Sequence, residues 1–399
     1  MIDTLSSRER MLCAMRRGQA DHVPLWNLWR SRNLPFQYVN QVERAEAVLR
    51  LGLDDTLLLQ PPLNKAEHYA ADRAGGVSTR VWQESIPGER YPRLVKEYTT
   101  PAGPIRQVVQ MTEDWPYFTP QGSPEVRLFS DHNVSRALEF PVKGEADLAA
   151  LSCLLCDPSP AQVTEFREEA ARLRREADRL GVVLEGGWTA LGDCALWLLG
   201  TEALLYLQMD QPGLVEALLD TVLRWELRRE ALLLEAGVEV IVHSAWYETT
   251  NFWSPRTYRR MIKPRLQQLI DQAHQAGALF SYIITSAWQP LAADILETGI
   301  DSLIGIDPVQ DKVDLTAVKQ RLGGKICLWG GINGALTLGH AAPAEVARAT
   351  QEAIETLAPG GGFVLYPVDQ LVKETPWENV EAMIASWRKY GYYESQVWR

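Results

Sequence analysis

No apolar run in the sequence reaches the roughly 18 residues of a membrane span, so no spanning segment is expected. Positive charge is in deficit: 40 Lys and Arg stand against 51 Asp and Glu, a formal net charge of -11. Such a chain repels phosphate backbones and anionic lipid, which sets aside nucleic acid and membrane surfaces as partners. Cysteine is sparse, and Cys13, Cys153, Cys156, Cys194 and Cys327, an odd number scattered over 399 residues, make no disulfide framework. The one close pair, Cys153 and Cys156, has no second pair and no histidine nearby, so buried structural thiols are expected over a metal or redox site. No G-x-G-x-x-G follows the first strand, which removes the main support for a dinucleotide-binding open sheet. Residues Met1–Arg17 read as a charged amphipathic helix without a signal-peptide core, and a cytoplasmic enzyme is the expectation.

What is present is an ordinary globular composition, 46% hydrophobic and 23% charged, with ample apolar content for a large core. Short β-rich runs alternate with long amphipathic helices, the pattern of βα units on a parallel sheet. Strands are expected at Val23–Trp29, Asp55–Gln60, Val182–Glu185, Val238–His243, Ala278–Thr285, Ser302–Ile306, Lys325–Trp329 and Phe363–Tyr366. Helices are expected between them, among others over Pro212–Ala236, Pro255–Ala276 and Pro343–Leu357. These segments close most simply as a (β/α)8 TIM barrel, an α/β fold spanning 1–399 as one domain. Residues 77–111 break the rhythm: apolar and polar residues alternate between turn signals at Pro87-Gly88 and Pro101-Ala102-Gly103, which reads as an antiparallel β insertion.

Tryptophan is abundant, with fourteen in all, and Trp26, Trp29, Trp188, Trp246, Trp288 and Trp329 lie near expected strand ends. Aromatics gathered at one end of a barrel suit a flat or apolar ligand, although for any single Trp plain core packing is the simpler account. Barrel enzymes place their chemistry at the carboxyl ends of strands. Those ends carry Asn27, Arg30, Gln60, Glu185, His243 with Tyr247 and Glu248, Tyr282, Thr285, Asp307, Asn333, Tyr366 and Asp369. Arg30 fits a carboxylate clamp or a surface ion pair. His243 ends an apolar run, so its ring is expected at the barrel mouth; a satisfied buried histidine is the alternative. Glu248, Asp307 and Asp369 with His243 would make an acid/base set, or a metal site from His243, Glu248 and Asp369, unless they serve as helix caps.

Several segments resemble the uroporphyrinogen decarboxylase superfamily, which includes corrinoid-linked methyltransferases. They are Ser7–Gly18 running into Asp21-His22-Val23-Pro24, the Thr100-Pro101-Ala102-Gly103 turn, Phe252-Trp253-Ser254-Pro255 with Lys263-Pro264, Lys312-Val313-Asp314-Leu315, Gly330-Gly331-Ile332-Asn333, Gly361–Leu365 and Thr375–Asn379. The resemblance covers nearly the whole chain and implies a (β/α)8 barrel with its site at the carboxyl face.

The departures from that pattern are as informative. The zinc-binding His-x-Cys pair and late Cys of the superfamily's methyltransferases correspond here to Ile283, Thr285 and Asp369. Isoleucine and threonine are no zinc ligands, so the usual thiol-activating site is absent. The decarboxylase pattern is met only partly, by Arg30-Ser31-Arg32-Asn33, while Gln60-Pro61-Pro62 replaces its aspartate and Val368 or Asp369 its late histidine. The resemblance therefore implies, first, methyl transfer from a small methylated compound with a corrinoid protein partner. There His243, Glu248 and Asp369 would polarise or protonate the leaving heteroatom, while Asn27, Trp29 and Arg30 hold substrate together with Glu185, Trp188, Trp246, Tyr247, Tyr282, Thr285, Trp329, Asn333 and Tyr366. Decarboxylation of a carboxylated substrate held by Arg30 and Arg32, with Asp307 or Asp369 as the acid, is the alternative, and a ligand-binding barrel without turnover is a third. No covalently held cofactor is expected, zinc is left open, and dimerisation, common in the superfamily, makes a homodimer a further expectation.

Overall fold

The computed structural model describes residues 4–26, 38–62, 64–65, 68–69, 75–119, 121–369, 371 and 374–393. In chain order its strands are β1 (Thr56–Leu59), β2 (Asn64–Lys65), β3 (His68–Tyr69), β4 (Ser78–Glu84), β5 (Arg93–Thr100), β6 (Gly103–Gln110), β7 (Ala137–Glu139), β8 (Val183–Ala190), β9 (Val240–Ser244), β10 (Leu279–Ile283), β11 (Ser302–Ile306), β12 (Cys327–Asn333) and β13 (Phe363–Val368). Seven of them form one parallel sheet in the order β1-β8-β9-β10-β11-β12-β13, each joined to the next through helices. A parallel sheet is covered on both faces, which is why β9, β11, β12 and β13 are buried at every position and read as apolar runs.

Alternation along these strands sorts side chains into two layers. On the inner face Val183, Val240, Val242, Ile283, Ile304, Cys327, Trp329, Val364 and Tyr366 form one cluster with Met11, Ala14 and Met15 of the helix Ser7–Met15. On the outer face Leu184, Ile241, Phe280, Tyr282, Leu303, Leu328, Phe363 and Leu365 join the much larger core shared with the surrounding helices.

The sheet curls because one short segment bonds to both of its edges. Leu25 bridges Leu365 of β13 and Trp26 bridges Asp54 just before β1, both in parallel sense. The Trp26 amide donates to Leu365 O at 3.1 Å, and the Asp54 amide to Leu25 O at 3.1 Å. The strand expected over Val23–Trp29 is present only as these bridges, since residues 27–37 lie outside the described residues. The segment is held from outside by the helix Trp377–Tyr390, whose Trp387 Nε1 donates to Val23 O at 2.7 Å. At the amino ends of the strands the helix Ser7–Met15, closed by a Ser6–Glu9 capping box, plugs the interior. Its buried Arg10 bonds Asp21 and Asp54, both at 2.7 Å.

The insertion expected over 77–111 is the antiparallel meander β4–β5–β6, and β7 adds a fourth strand that the sequence did not mark. Tyr98 and Ile105 anchor it on the main core beside Leu151 and Leu154. The expected strand end at Glu185 is corrected, because β8 runs through Gly186 and Gly187 to Ala190. Gly186 is packing rather than punctuation: a Cβ there would lie 2.9 Å from Val238 Cγ2. All five cysteines are free, and Cys153 and Cys156 are half-buried rather than buried. Among the described residues no helix is long and apolar enough to cross a membrane.

Candidate active site

The inner face of the strand ends is aromatic. Trp26 meets Trp329 edge-on with ring centres 4.6 Å apart and Tyr366 at 5.5 Å. Trp188 and Trp246, both half-buried, pack at 5.2 Å and lie against the same inner cluster, which also holds Ile283 and Val368. Strand alternation turns these residues inward, and large rings fill an interior that small side chains would leave empty. Trp26 donates from Nε1 to Thr56 Oγ1 at 3.2 Å. The Nε1 group of Trp188 is buried without an acceptor, a cost in an apolar setting that a ligand oxygen would relieve. Asp369 follows Val368 with a left-handed φ of 63° and reaches solvent. Its crowded base, and then the charge of Asp307, hold its carboxyl above the ordinary range.

His243, Tyr282 and Glu248 are not at this mouth, contrary to the sequence expectation. His243 and Tyr282 sit one residue out of register with the inward Val242 and Ile283, so both turn toward the helices, and His243, Tyr282 and Glu248 are fully buried. The His243 ring stacks on Tyr282, 5.6 Å between centres and 7° between planes. Thr189 Oγ1 lies 2.8 Å from its Nδ1, and Glu248 Oε1 lies 3.1 Å from its Nε2. Glu248 also accepts from the Gly192 amide at 2.8 Å and from the Tyr282 hydroxyl at 2.7 Å. With two donors, the Gly192 amide and the Tyr282 hydroxyl, already on Glu248, the tautomer that completes the network has His243 Nε2 donating to Glu248 and Nδ1 accepting from Thr189. This is a closed network with no position left for substrate.

Other expected residues are also placed. Asp307 is fully buried and ties the loop after β11, accepting the amides of Val309 at 2.8 Å and Gln310 at 3.0 Å and the Asn333 Nδ2 at 2.6 Å. It and Asn333, whose Oδ1 caps the Leu336 amide, shape loops rather than offer free acid or amide groups. Glu185 shares the inward parity of Val183 and is buried deep in the interior, where its charge acts on Arg44. Tyr247 packs on Phe252 and Trp288 on the outer core, so both leave the mouth, while Thr285 stands half-buried past Ile283. Asn27, Trp29 and Arg30 lie outside the described residues, as does Arg32.

The sequence reading missed Asp193, Thr189, Ser244 and Tyr258. Asp193 is fully buried and accepts from Ser244 Oγ at 2.5 Å and from the Tyr247 amide at 2.7 Å. Burial, and then the charge of Glu248, push its carboxyl up to about 7. Tyr258, whose hydroxyl lies 3.3 Å from that of Tyr282, extends the outer network. The available signal was an acid in the first turn after a strand, a position usually read as a cap.

The set His243, Glu248 and Asp369 does not fit a metal. Both His243 nitrogens and both Glu248 oxygens already have partners, and these two side chains are fully buried while Asp369 is exposed. Among the described residues no three His, Cys, Asp or Glu stand together as a ligand group.

The profile of the family described as Uroporphyrinogen decarboxylase (URO-D) matches residues 135–390, more than half of the 399 residues. The chain belongs to this family. Within the matched region lie β8 to β13 and therefore most of the aromatic mouth. The chain is similar to the methylcobamide:CoM methyltransferase MtaA of Methanosarcina barkeri, with 25% identity over 223 residues covering 56% of this chain. It spans 62% of the length of the curated relatives it matches. A solved methyltransferase from Methanosarcina mazei superposes with a TM-score of 0.57 over 97% of this chain and 99% of its own, at 17% identity, a likeness of fold.

Proposed function

We propose that this uroporphyrinogen decarboxylase family chain is a methyl-transfer enzyme. It would act on a small methylated compound at the mouth of a closed (β/α)8 barrel, with a corrinoid protein as partner. The observation that carries the reading is the inner aromatic wall of Trp26, Trp188, Trp246, Trp329 and Tyr366, with one solvent-reaching acid, Asp369, at its rim. The bonding of residues 24–26 to both sheet edges supports closure by an eighth strand. The similarity to a methylcobamide:CoM methyltransferase supports the reaction class.

A reduced corrinoid supplies a methyl acceptor. The residues of this chain hold the flat or apolar part of the substrate by ring contact and exclude water around the heteroatom–methyl bond. As that bond breaks, the heteroatom keeps the electron pair and takes one proton, which Asp369, whose carboxyl is held above its ordinary range, would give. His243 and Glu248, enclosed on the other side of the sheet, support the wall and touch no substrate. The test is to mix the protein with a reduced corrinoid protein and a panel of methanol, methylamines, methyl thioethers and methoxyarenes, following the corrinoid absorbance. Methylation with at least one of them supports the reading. No methylation, with carbon dioxide released from a porphyrinogen instead, replaces it with decarboxylation.

A further inference from the structure

Trp246 is held at the mouth from behind. Its ring is half-buried, packs against the inner cluster and has Trp188 as its aromatic neighbour among the described residues. The backbone around it is tied at several points. Ser244 Oγ and the Tyr247 amide, on either side of residues 245 and 246, both donate to Asp193, at 2.5 and 2.7 Å. The Ala245 amide donates to Ile283 O at 2.9 Å, and Trp253 Nε1 donates to Tyr247 O at 2.8 Å. The clamp is reciprocal, since Glu248 from the same loop accepts the amide of Gly192, the residue before Asp193. Nothing can slide at this junction: a Cβ on Gly192 would lie 2.5 Å from Glu248 Cγ.

We propose that Asp193 is a positioning residue that fixes Trp246 against Trp188 and so sets one wall of the substrate site. It does this through two hydrogen bonds from the start of the helix Gly192–Leu199. Asp193 is fully buried and touches no ligand; it acts through the loop it pins. Buried acids persist when the bonds they accept over-determine a local geometry, and here the two bonds bracket Trp246 along the chain. The inference holds whichever reaction the mouth serves.

The test isolates the Trp188–Trp246 pair as the near-ultraviolet circular dichroism of wild type minus that of Trp246→Phe, recorded well below the melting midpoint. In Asp193→Ala the same difference, taken against the Asp193→Ala/Trp246→Phe double variant, should fall at least about twofold, because tilted ring coupling depends on geometry. Asp193→Asn should keep most of it: its Oδ1 still accepts the Tyr247 amide and its Nδ2 can donate to Ser244 Oγ. A merely structural role would lower the melting midpoint of Asp193→Ala and leave the difference spectrum unchanged, and that result would overturn the proposal. Should Asp193→Ala not fold, Ser244→Ala removes one of the two bonds. A weakened pair signal there supports the proposal, and a signal equal to wild type overturns it.

Discussion

The two faces of the same strand ends have opposite characters. Outward, His243, Glu248, Tyr282 and Thr189 form a sealed polar network in which each donor named above has its acceptor. Inward, Trp188 leaves its indole N–H without an acceptor, and just past the end of β13 Asp369 is exposed in a left-handed conformation. Satisfied polar groups in a closed layer stabilise a fold, whereas unsatisfied groups and uncommon backbone conformations gather where a ligand is to be met. The residues that look most chemical in the sequence are thus those most committed to structure.

The sharpest break of this contrast is Glu248→Ala. It strands the Gly192 amide, the Tyr282 hydroxyl and a buried imidazole, and should cost about 3–5 kcal/mol in chemical denaturation. A loss below about 1 kcal/mol would show that the network is not structural.

Glu230 sharpens the comparison from the same outer side, because it is a fully buried acid with no cation paired to it among the described ion pairs. Burial, and then the charge of Glu226, push its carboxyl up to about 9. The folded state therefore keeps a proton that the unfolded chain releases near its ordinary value, so this group's contribution to stability falls as pH rises from about 4.5 to about 9. Glu230→Gln removes the titration. It should melt like wild type at pH 4.5 and be more stable by about 3 kcal/mol at pH 7, with the gap widening above that. Parallel pH profiles for the two proteins would contradict the assignment.

Changes at the mouth should do the reverse, sparing the fold and harming function. Trp246→Phe should alter stability by less than about 1 kcal/mol while raising KM about tenfold, measured once a substrate is found. Asp369→Asn should be the quietest of all in stability, within about 0.5 kcal/mol, since asparagine tolerates a positive φ. Its turnover should nevertheless fall about a hundredfold if the acid supplies the proton; unchanged turnover would move that role elsewhere.

Much of the architecture was legible because its causes are local. Apolar runs such as Val240–Val242, proline at the starts of helices such as Pro212–Glu235 and Pro343–Leu357, and alternation through residues 77–111 are local patterns that survive without tertiary information. The richness in tryptophan and the family to which the chain belongs could be read in the same way. Which strand-end residues share a site was decided by parity. Moving one residue along a strand turns a side chain to the other face, so Val242 faces the interior and His243 the helices, and nothing in the short run around His243 signals the difference. The partners of Asp193 were equally hidden, since Ser244 and Tyr247 lie some fifty residues away along the chain. Local composition and period are properties of neighbouring residues, and the sequence carries them in full. The face a side chain takes and the distant group it meets depend on how the sheet curls and the loops close, and only the tertiary structure supplies them.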